Sequence, residues 1–253
     1  MDRIIVKKLD TDIAVESSPV LICGLPGIGN VARLTVDYIV DKLKMTKIYD
    51  IFSTHLPAQV FVNADGTASL PRNSVYFKNI SKKKSLMVFT GDFQGNTPEG
   101  QYEISETILN IAKEYGVKTV YTLGGYGIGK LVENPRVLGA VTDTKIKKKL
   151  ENAGIVFSEN EPGGGIIGSA GLIMGMAGEF YGMDAACIMG ETSGYFTDPK
   201  AALALIRTLS SLIGFRISTK EIEERSRNIE ELTEKMQGEM QEKNQKDDLG
   251  YFV

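Results

Sequence analysis

The sequence predicts an α/β protein in which helices cover a parallel or mixed β-sheet. Three observations carry that prediction. Short apolar runs alternate with amphipathic helical patterns. The four strongest runs, residues 20–23, 85–90, 118–123 and 185–189, are each followed directly by glycine. Two helical patterns open with proline in their first turn, where its missing N–H costs nothing.

Shorter strand candidates fall at residues 4–6, 47–53, 60–62, 74–77 and 139–142. After Gly29, apolar residues at 31, 34, 36, 39, 40 and 43 form a helical stripe, with Asn30 placed to cap it. Thr97 and Pro98 open a second helix that runs to about residue 115, and Gly116 stops it. A third helix is expected over about 142–153, with Lys147–Lys149 on its solvent side, and a fourth from Pro199 to Ile213.

The composition then changes. Residues 218–248 contain no proline, one glycine, ten acidic and six basic side chains. Ser218 followed by Glu221 is a capping-box pattern. Ile222, Ile229, Leu232 and Met236 fall at spacings of 7, 3 and 4, one narrow apolar seam on a long charged helix. Such a seam must be buried, either on its own domain or against another subunit, and a subunit contact is the favoured reading. The sequence thus divides into an α/β domain (1–217), a charged amphipathic helix (218–248) and an apolar tail (249–253). That tail, Leu-Gly-Tyr-Phe-Val after two aspartates, is unusual for a chain end without a role. It either folds back on its own core or offers aromatic rings and a carboxylate to a partner's pocket.

Bulk properties exclude several classes. At 253 residues, 42% hydrophobic and 24% charged, the chain is an ordinary globular protein that needs no disulfide or metal for stability. A net charge of −3 gives no basic footprint for nucleic acid or membrane. Cys23 and Cys187 sit in apolar stretches and read as buried reduced thiols. Asp2, Asp10 and Asp12 interrupt any leader-like apolar run. The apolar stretch 163–189 is too glycine-rich, and too broken by Glu179 and Asp184, for a membrane span. A cytoplasmic protein is expected.

The search for catalysis is negative: no catalytic residue, metal site or cofactor is assigned. His55 is the only histidine, no G-x-S-x-G elbow exists, and Ser193 has the wrong glycine spacing. One histidine and two distant cysteines exclude a zinc site built from nitrogen and sulfur ligands. Four glycine-rich turns remain, at 24–29, 91–95, 124–129 and 163–165. Following strands, they would line one edge of the sheet, where open α/β folds place a ligand crevice. Gly24, Gly27, Gly29, Asn30, Asp92, Gly125 and Gly127 are its candidate residues. Neither the first nor the second turn fits the dinucleotide or P-loop pattern, and tight strand-to-helix turns use glycine without any ligand.

The order of these motifs carries a resemblance. Residues 23–32 (CGLPGIGNVA), 90–94 (TGDFQ), 123–127 (LGGYG), and the stretch 164–175 ahead of 185–191 together resemble the proteasome assembly chaperone 2 family, over roughly residues 15–215. The chain looks most like archaeal homologues that act as assembly chaperones for the proteasome core particle. The resemblance implies a three-layer, nucleoside-phosphorylase-like α/β sandwich with a mostly parallel sheet, no enzymatic activity and a homo-oligomer. It also implies docking of a C-terminal hydrophobic-tyrosine-any motif between α-subunits of the proteasome ring. Tyr251, Phe252 and Val253 occupy those positions, with Phe252 keeping the ring but lacking the hydroxyl.

Two functions are therefore expected from different classes. The first is an ATP-independent, proteasome assembly chaperone-like oligomer that grips α-subunits with its tails. The alternative is an enzyme or nucleotide or small-ligand binder that uses the glycine turns with Asn30, Asp92 and Glu191.

Overall fold

A computed structural model describes residues 3–9, 13–229 and 231. The chain divides into two units at the Ile217/Ser218 junction. The described residues of the first form ten strands: β1 (Ile4–Lys8), β2 (Pro19–Gly24), β3 (Thr46–Ser53), β4 (Phe61–Val62), β5 (Ala68–Ser69), β6 (Asn73–Ser81), β7 (Lys84–Gly91), β8 (Thr119–Gly127), β9 (Val137–Val141) and β10 (Asp184–Thr192). Its helices are α1 (Val31–Leu43), α2 (Pro98–Glu114), α3 (Lys147–Glu151), α4 (Ser169–Glu179) and α5 (Pro199–Leu209).

Eight strands form one sheet in the order β1-β3-β6-β7-β2-β8-β10-β9, and β4 pairs only with β5. The four central strands run parallel; the flanks pair antiparallel. The parallel character expected from sequence is thus concentrated in the centre. There the strands are covered on both faces and read as unbroken apolar runs. Successive side chains of β2 alternate: Leu21 and Cys23 join the cluster built by α2 and α4, while Ile22 faces the α1 and α5 layer. The result is a three-layer sandwich.

The helix ends follow the sequence closely. The Thr97 hydroxyl accepts the Gly100 N–H (3.1 Å) with Pro98 at the first position, and Gly116 ends α2 with φ +71°. Asp198 caps α5 by accepting the Ala201 N–H (2.9 Å), and a π-type turn (Ser210–Gly214) replaces the helical end expected up to 213. Asn30 occupies the cap position of α1 in the left-handed region, but its side chain makes no cap bond. The helix expected over 142–153 shortens to a 3₁₀ turn and α3, because the Asp143 carboxylate captures the Lys145 N–H (2.9 Å) and starts the turn there.

Helix α4 is not foreshadowed by propensity. Gly171, Gly175 and Gly178 each disfavour a helix by about 1 kcal/mol relative to alanine. Packing explains two of them. A Cβ at Gly178 would lie 2.8 Å from Thr142 Cγ2, and one at Gly171 would strike the Ile166 carbonyl. The helix is apolar nearly all round and sits against β8 and β10.

Both cysteines are free and buried, and burial pushes the Cys187 thiol up to about 11. His55 lies in the turn after β3, its Nδ1 3.0 Å from the Thr97 hydroxyl and its Nε2 3.3 Å from Glu103.

In the second unit the backbone is helical over residues 220–229. Thr219, not Ser218, precedes the first helical residue, and its hydroxyl donates to the Glu223 carboxylate (2.7 Å). Ile222 and Ile229 of the expected seam lie on this helix. Leu232 and Met236 lie outside the described residues, as do the rest of the long helix expected to 248 and the tail Tyr251, Phe252 and Val253.

Gly24 offers a direct test of how tightly α1 clasps β2. A Cβ there would lie 2.6 Å from the Ala32 carbonyl and 2.7 Å from Val36 Cγ1. Gly24→Ala is expected to cost about 1–3 kcal/mol by overpacking, read as a lower urea midpoint with an unchanged m-value.

Candidate functional site

Strands β7 and β2 are parallel neighbours whose following helices go to opposite faces: β2 leads into α1, and β7 leads into α2. Their carboxyl ends therefore form a topological switch point, the position where open α/β sheets hold ligands. In this chain, side chains bridge that point. Gln94, in the loop after β7, donates to the Pro26 carbonyl in the loop after β2 (2.6 Å). Arg33 of α1 pairs with Asp92 (3.1 Å), and Asp92 also accepts the Arg72 N–H (3.1 Å). The two loops are laced together across the gap.

Two concavities flank this lacing. The first, of about 630 Å³, opens beyond β2 and β8 beside the start of α4, with Gly27, Gly125 and Gly127 in its lining. Its polar groups are largely spent on one another. Gln94 Oε1 accepts the Ser169 N–H (3.0 Å), the Ser169 hydroxyl donates to Gln101 Oε1 (2.6 Å), and Gln101 Nε2 donates to the Gly95 carbonyl (2.9 Å). The network ties three loops together and leaves a mostly apolar, glycine-floored hollow with Ile167 fully exposed at its rim.

The second concavity, about 590 Å³, lies on the α1 side and is lined by Arg33, Asp37, Lys47, Arg72, Tyr76 and Asp92. Its charges are paired: Arg33 with Asp37 (3.2 Å), Arg72 with Asp50 (3.3 Å) and Lys47 with Asp50 (3.2 Å). Burial alone would raise the Asp50 pKa. The Ser74 hydroxyl (2.6 Å), Lys47 and Arg72 outweigh it, so the carboxyl is held below the ordinary aspartate range. Burial, and then the charge of Asp37, pushes the Tyr76 phenol upward.

The candidate crevice residues are thus distributed. Gly27, Gly125 and Gly127 line the apolar hollow, and Asp92 lines the polar one. Gly24 lies against α1 and Gly29 against Thr192, which leaves no room for a Cβ at either. Asn30 adopts the left-handed conformation at the start of α1. Glu191 is buried at the end of β10 and fixed by Arg136, which donates from its main chain (3.0 Å) and from Nε (2.9 Å). The bridging residues Gln94, Gln101 and Ser169 were missed by sequence reasoning. The only signal was the TGDFQ run that ends at Gln94.

Among the described residues, no group of three or more His, Cys, Asp or Glu is placed to hold a metal ion, and no helix is long and apolar enough to cross a membrane.

A laced switch point within a mixed-sheet sandwich defines an α/β protein whose usual ligand position is occupied by its own side chains. Residues 21–237 match the PAC2 family model, and the chain belongs to that family. It is 40% identical over 236 residues to an uncharacterized protein of Methanocaldococcus jannaschii, covering 93% of this chain and 89% of that protein. The structure is similar to Pyrococcus furiosus PbaB, described as an archaeal proteasome activator (TM-score 0.86, 30% identity, 94% of this chain and 100% of that one). It also shares its fold with P. furiosus PbaA, described as an archaeal homolog of proteasome-assembly chaperone (TM-score 0.77, 24% identity, 99% and 98%).

Two outcomes test the lacing. Gln94→Ala strands the Pro26 carbonyl and the Ser169 N–H, at an expected cost of about 1–3 kcal/mol in a urea titration. The second concerns Glu191. Burial raises its pKa, but the hydrogen bonds and charge of Arg136 outweigh that and leave it below the ordinary glutamate value. Its stabilising contribution is therefore complete above the unfolded-state pKa of about 4.3, and is lost as pH falls through the depressed folded value. Glu191→Gln is expected to flatten the acid limb of the stability curve below about pH 5, as the pH falls toward and through the depressed folded value.

Proposed function

We propose that this chain is a cytoplasmic, ATP-independent, proteasome assembly chaperone-like protein. As a homo-oligomer, it engages α-subunits of the proteasome core particle through Tyr251, Phe252 and Val253. The observation that carries this reading is the likeness to PbaB over its whole length at 30% identity, a protein described as a proteasome activator. PAC2 family membership supports the same role. The lacing of the switch point fits it too, because a protein-binding factor has no need of the ligand crevice that this fold can otherwise supply.

The tail suits the task on energetic grounds. Fixing three residues costs about 1–2 kcal/mol of backbone entropy each, so one tail binds weakly. Several tails on one oligomer, each entering a pocket of a symmetric ring, raise avidity by about 10²–10⁴ if the charged helix gives them reach. Ile222, Ile229, Leu232 and Met236 supply an apolar seam for holding such helices against other subunits.

Deletion of residues 251–253 is expected to abolish capture of proteasome α-subunits in a pull-down while leaving the melting temperature unchanged. Undiminished capture would sink the tail mechanism. Phe252→Tyr restores the missing hydroxyl and is expected to tighten binding about five-fold, equivalent to about 1 kcal/mol. Titration of isolated tail peptides against the α-ring measures this directly.

A further inference from the structure

The two edges of the main sheet are treated differently. At β9 the chain closes its own edge: Gly139 N–H donates to the Val156 carbonyl (3.0 Å), and Val156 N–H returns a bond to the Val137 carbonyl (2.8 Å). At β1, no described strand pairs on the outer side. Thr54 N–H donates to the Arg3 carbonyl (3.0 Å) and Leu9 N–H donates to the Ile48 carbonyl (2.8 Å). In an antiparallel pair, hydrogen-bonded positions alternate, so residues 3, 5, 7 and 9 bond to β3. Ile4, Val6 and Lys8 turn their N–H and C=O groups away from the sheet.

This open edge is also apolar. Ile5, Val6 and Leu9 are 44%, 43% and 41% exposed. Beside Ile5 runs a groove of about 640 Å³ lined by Phe52, Leu56, Val60 and Leu70, the last two more than half exposed. An edge that is both unpaired and apolar is one that soluble proteins normally cover or blunt.

We propose that β1 pairs antiparallel with β1 of a second copy about a two-fold axis, joining two sheets into one. The charges on the strand select the register. Outward-facing residues must oppose outward-facing residues, so only registers that pair even positions with even positions are allowed. Centring on Lys7 or Lys8 sets like charges directly opposite, and centring on Ile5 sets Arg3 against Lys7. Each of these is destabilising. Centring on Val6 avoids all of them. Val6 then faces the second copy's Val6, Ile4 faces Lys8, Ile5 faces Lys7 and Arg3 faces Leu9, so that aliphatic lysine stems cover isoleucine. The pairs 4–8, 6–6 and 8–4 each exchange two backbone hydrogen bonds. The charges thus disfavour the alignments centred on residues 5, 7 and 8, and centring on Ile4 would pair only Ile4 with itself inside β1, so the Val6 alignment alone matches the strand along its whole length.

The homo-oligomer of the proposed function gains a specific contact from this inference, which itself stands on the geometry of β1. Val6→Pro removes only an outward N–H and leaves the bonds to β3 intact. The mass of the full chain by light scattering is expected to fall by half in this variant, with far-UV circular dichroism unchanged. Val6→Cys places two sulfurs across the axis on Cα atoms about 5.5 Å apart, within disulfide range. Mild oxidation is expected to give a crosslinked dimer on a non-reducing gel, whereas Lys7→Cys, which faces Ile5, gives none. The buried Cys23 and Cys187 do not interfere. A monomeric wild-type chain, a folded Val6→Pro variant of undiminished mass, absence of the Val6→Cys crosslink, or equal crosslinking by Lys7→Cys would each overturn the proposal. If Val6→Pro loses its circular dichroism signal, the cysteine pair decides. A proteasome factor assembled through some other contact would keep its mass in Val6→Pro yet still lose capture on deletion of residues 251–253, so the two readings fail separately.

Discussion

The structure depends on β2 being hydrogen-bonded in parallel on both sides. Residues 19–24 pair with β7 along one edge and residues 20–23 with β8 along the other, and Leu21 and Ile22 are wholly buried on opposite faces. A strand paired on both edges must be covered on both faces, which calls for a helical layer above and below it. The chain meets this demand with α1 and α5 on one side and with α2 and α4 on the other. The glycine turns follow from the same constraint. The loop after β2 must reverse into α1 at once, and Gly24 allows α1 to come within contact of the strand it has just left.

That closeness also shapes the candidate site. Because α1 and α2 leave adjacent strands toward opposite faces, a gap opens between their loops, and the chain fills it with Gln94, Arg33 and Asp92. The two hollows left on either side differ in character. One is floored by glycine and apolar side chains. The other is lined by charges that compensate one another at salt-bridge distance. Such compensation holds loops in place and leaves little charge to recruit a ligand.

Much of this was legible in the sequence. The buried parallel strands announce themselves as continuous apolar runs ending at glycine, and Thr97-Pro98 and Asp198-Pro199 mark helix starts by capping chemistry that needs no tertiary context. Helix α4 was not legible, because its glycines argue against a helix until Thr142 and Ile166 are seen crowding them. Asp92 could be singled out, but not its partners: Arg33 and Arg72 are distant along the chain and meet it only once β6, β7 and α1 are assembled. The same is true of Gln94, Gln101 and Ser169, whose side chains have no local pattern, and of the Arg136–Glu191 pair. The openness of β1 was likewise hidden, since strand order across a sheet is not written in any one strand.

The pairing of β2 has a kinetic side. Ile22 lies opposite Val88 and Tyr121, 66 and 99 residues later in the chain. With elongation at about 5–20 residues per second, β2 waits about 3–13 s for its first neighbour and about 5–20 s for its second to be synthesised. Until β7 has been made, its apolar Val-Leu-Ile-Cys run is a strand without either of its native partners. The nascent chain therefore passes through a window of aggregation risk set by topology. The β6–β7 hairpin, which closes within a few residues, sits between β3 and β2 and is the natural template on which the waiting strand first settles.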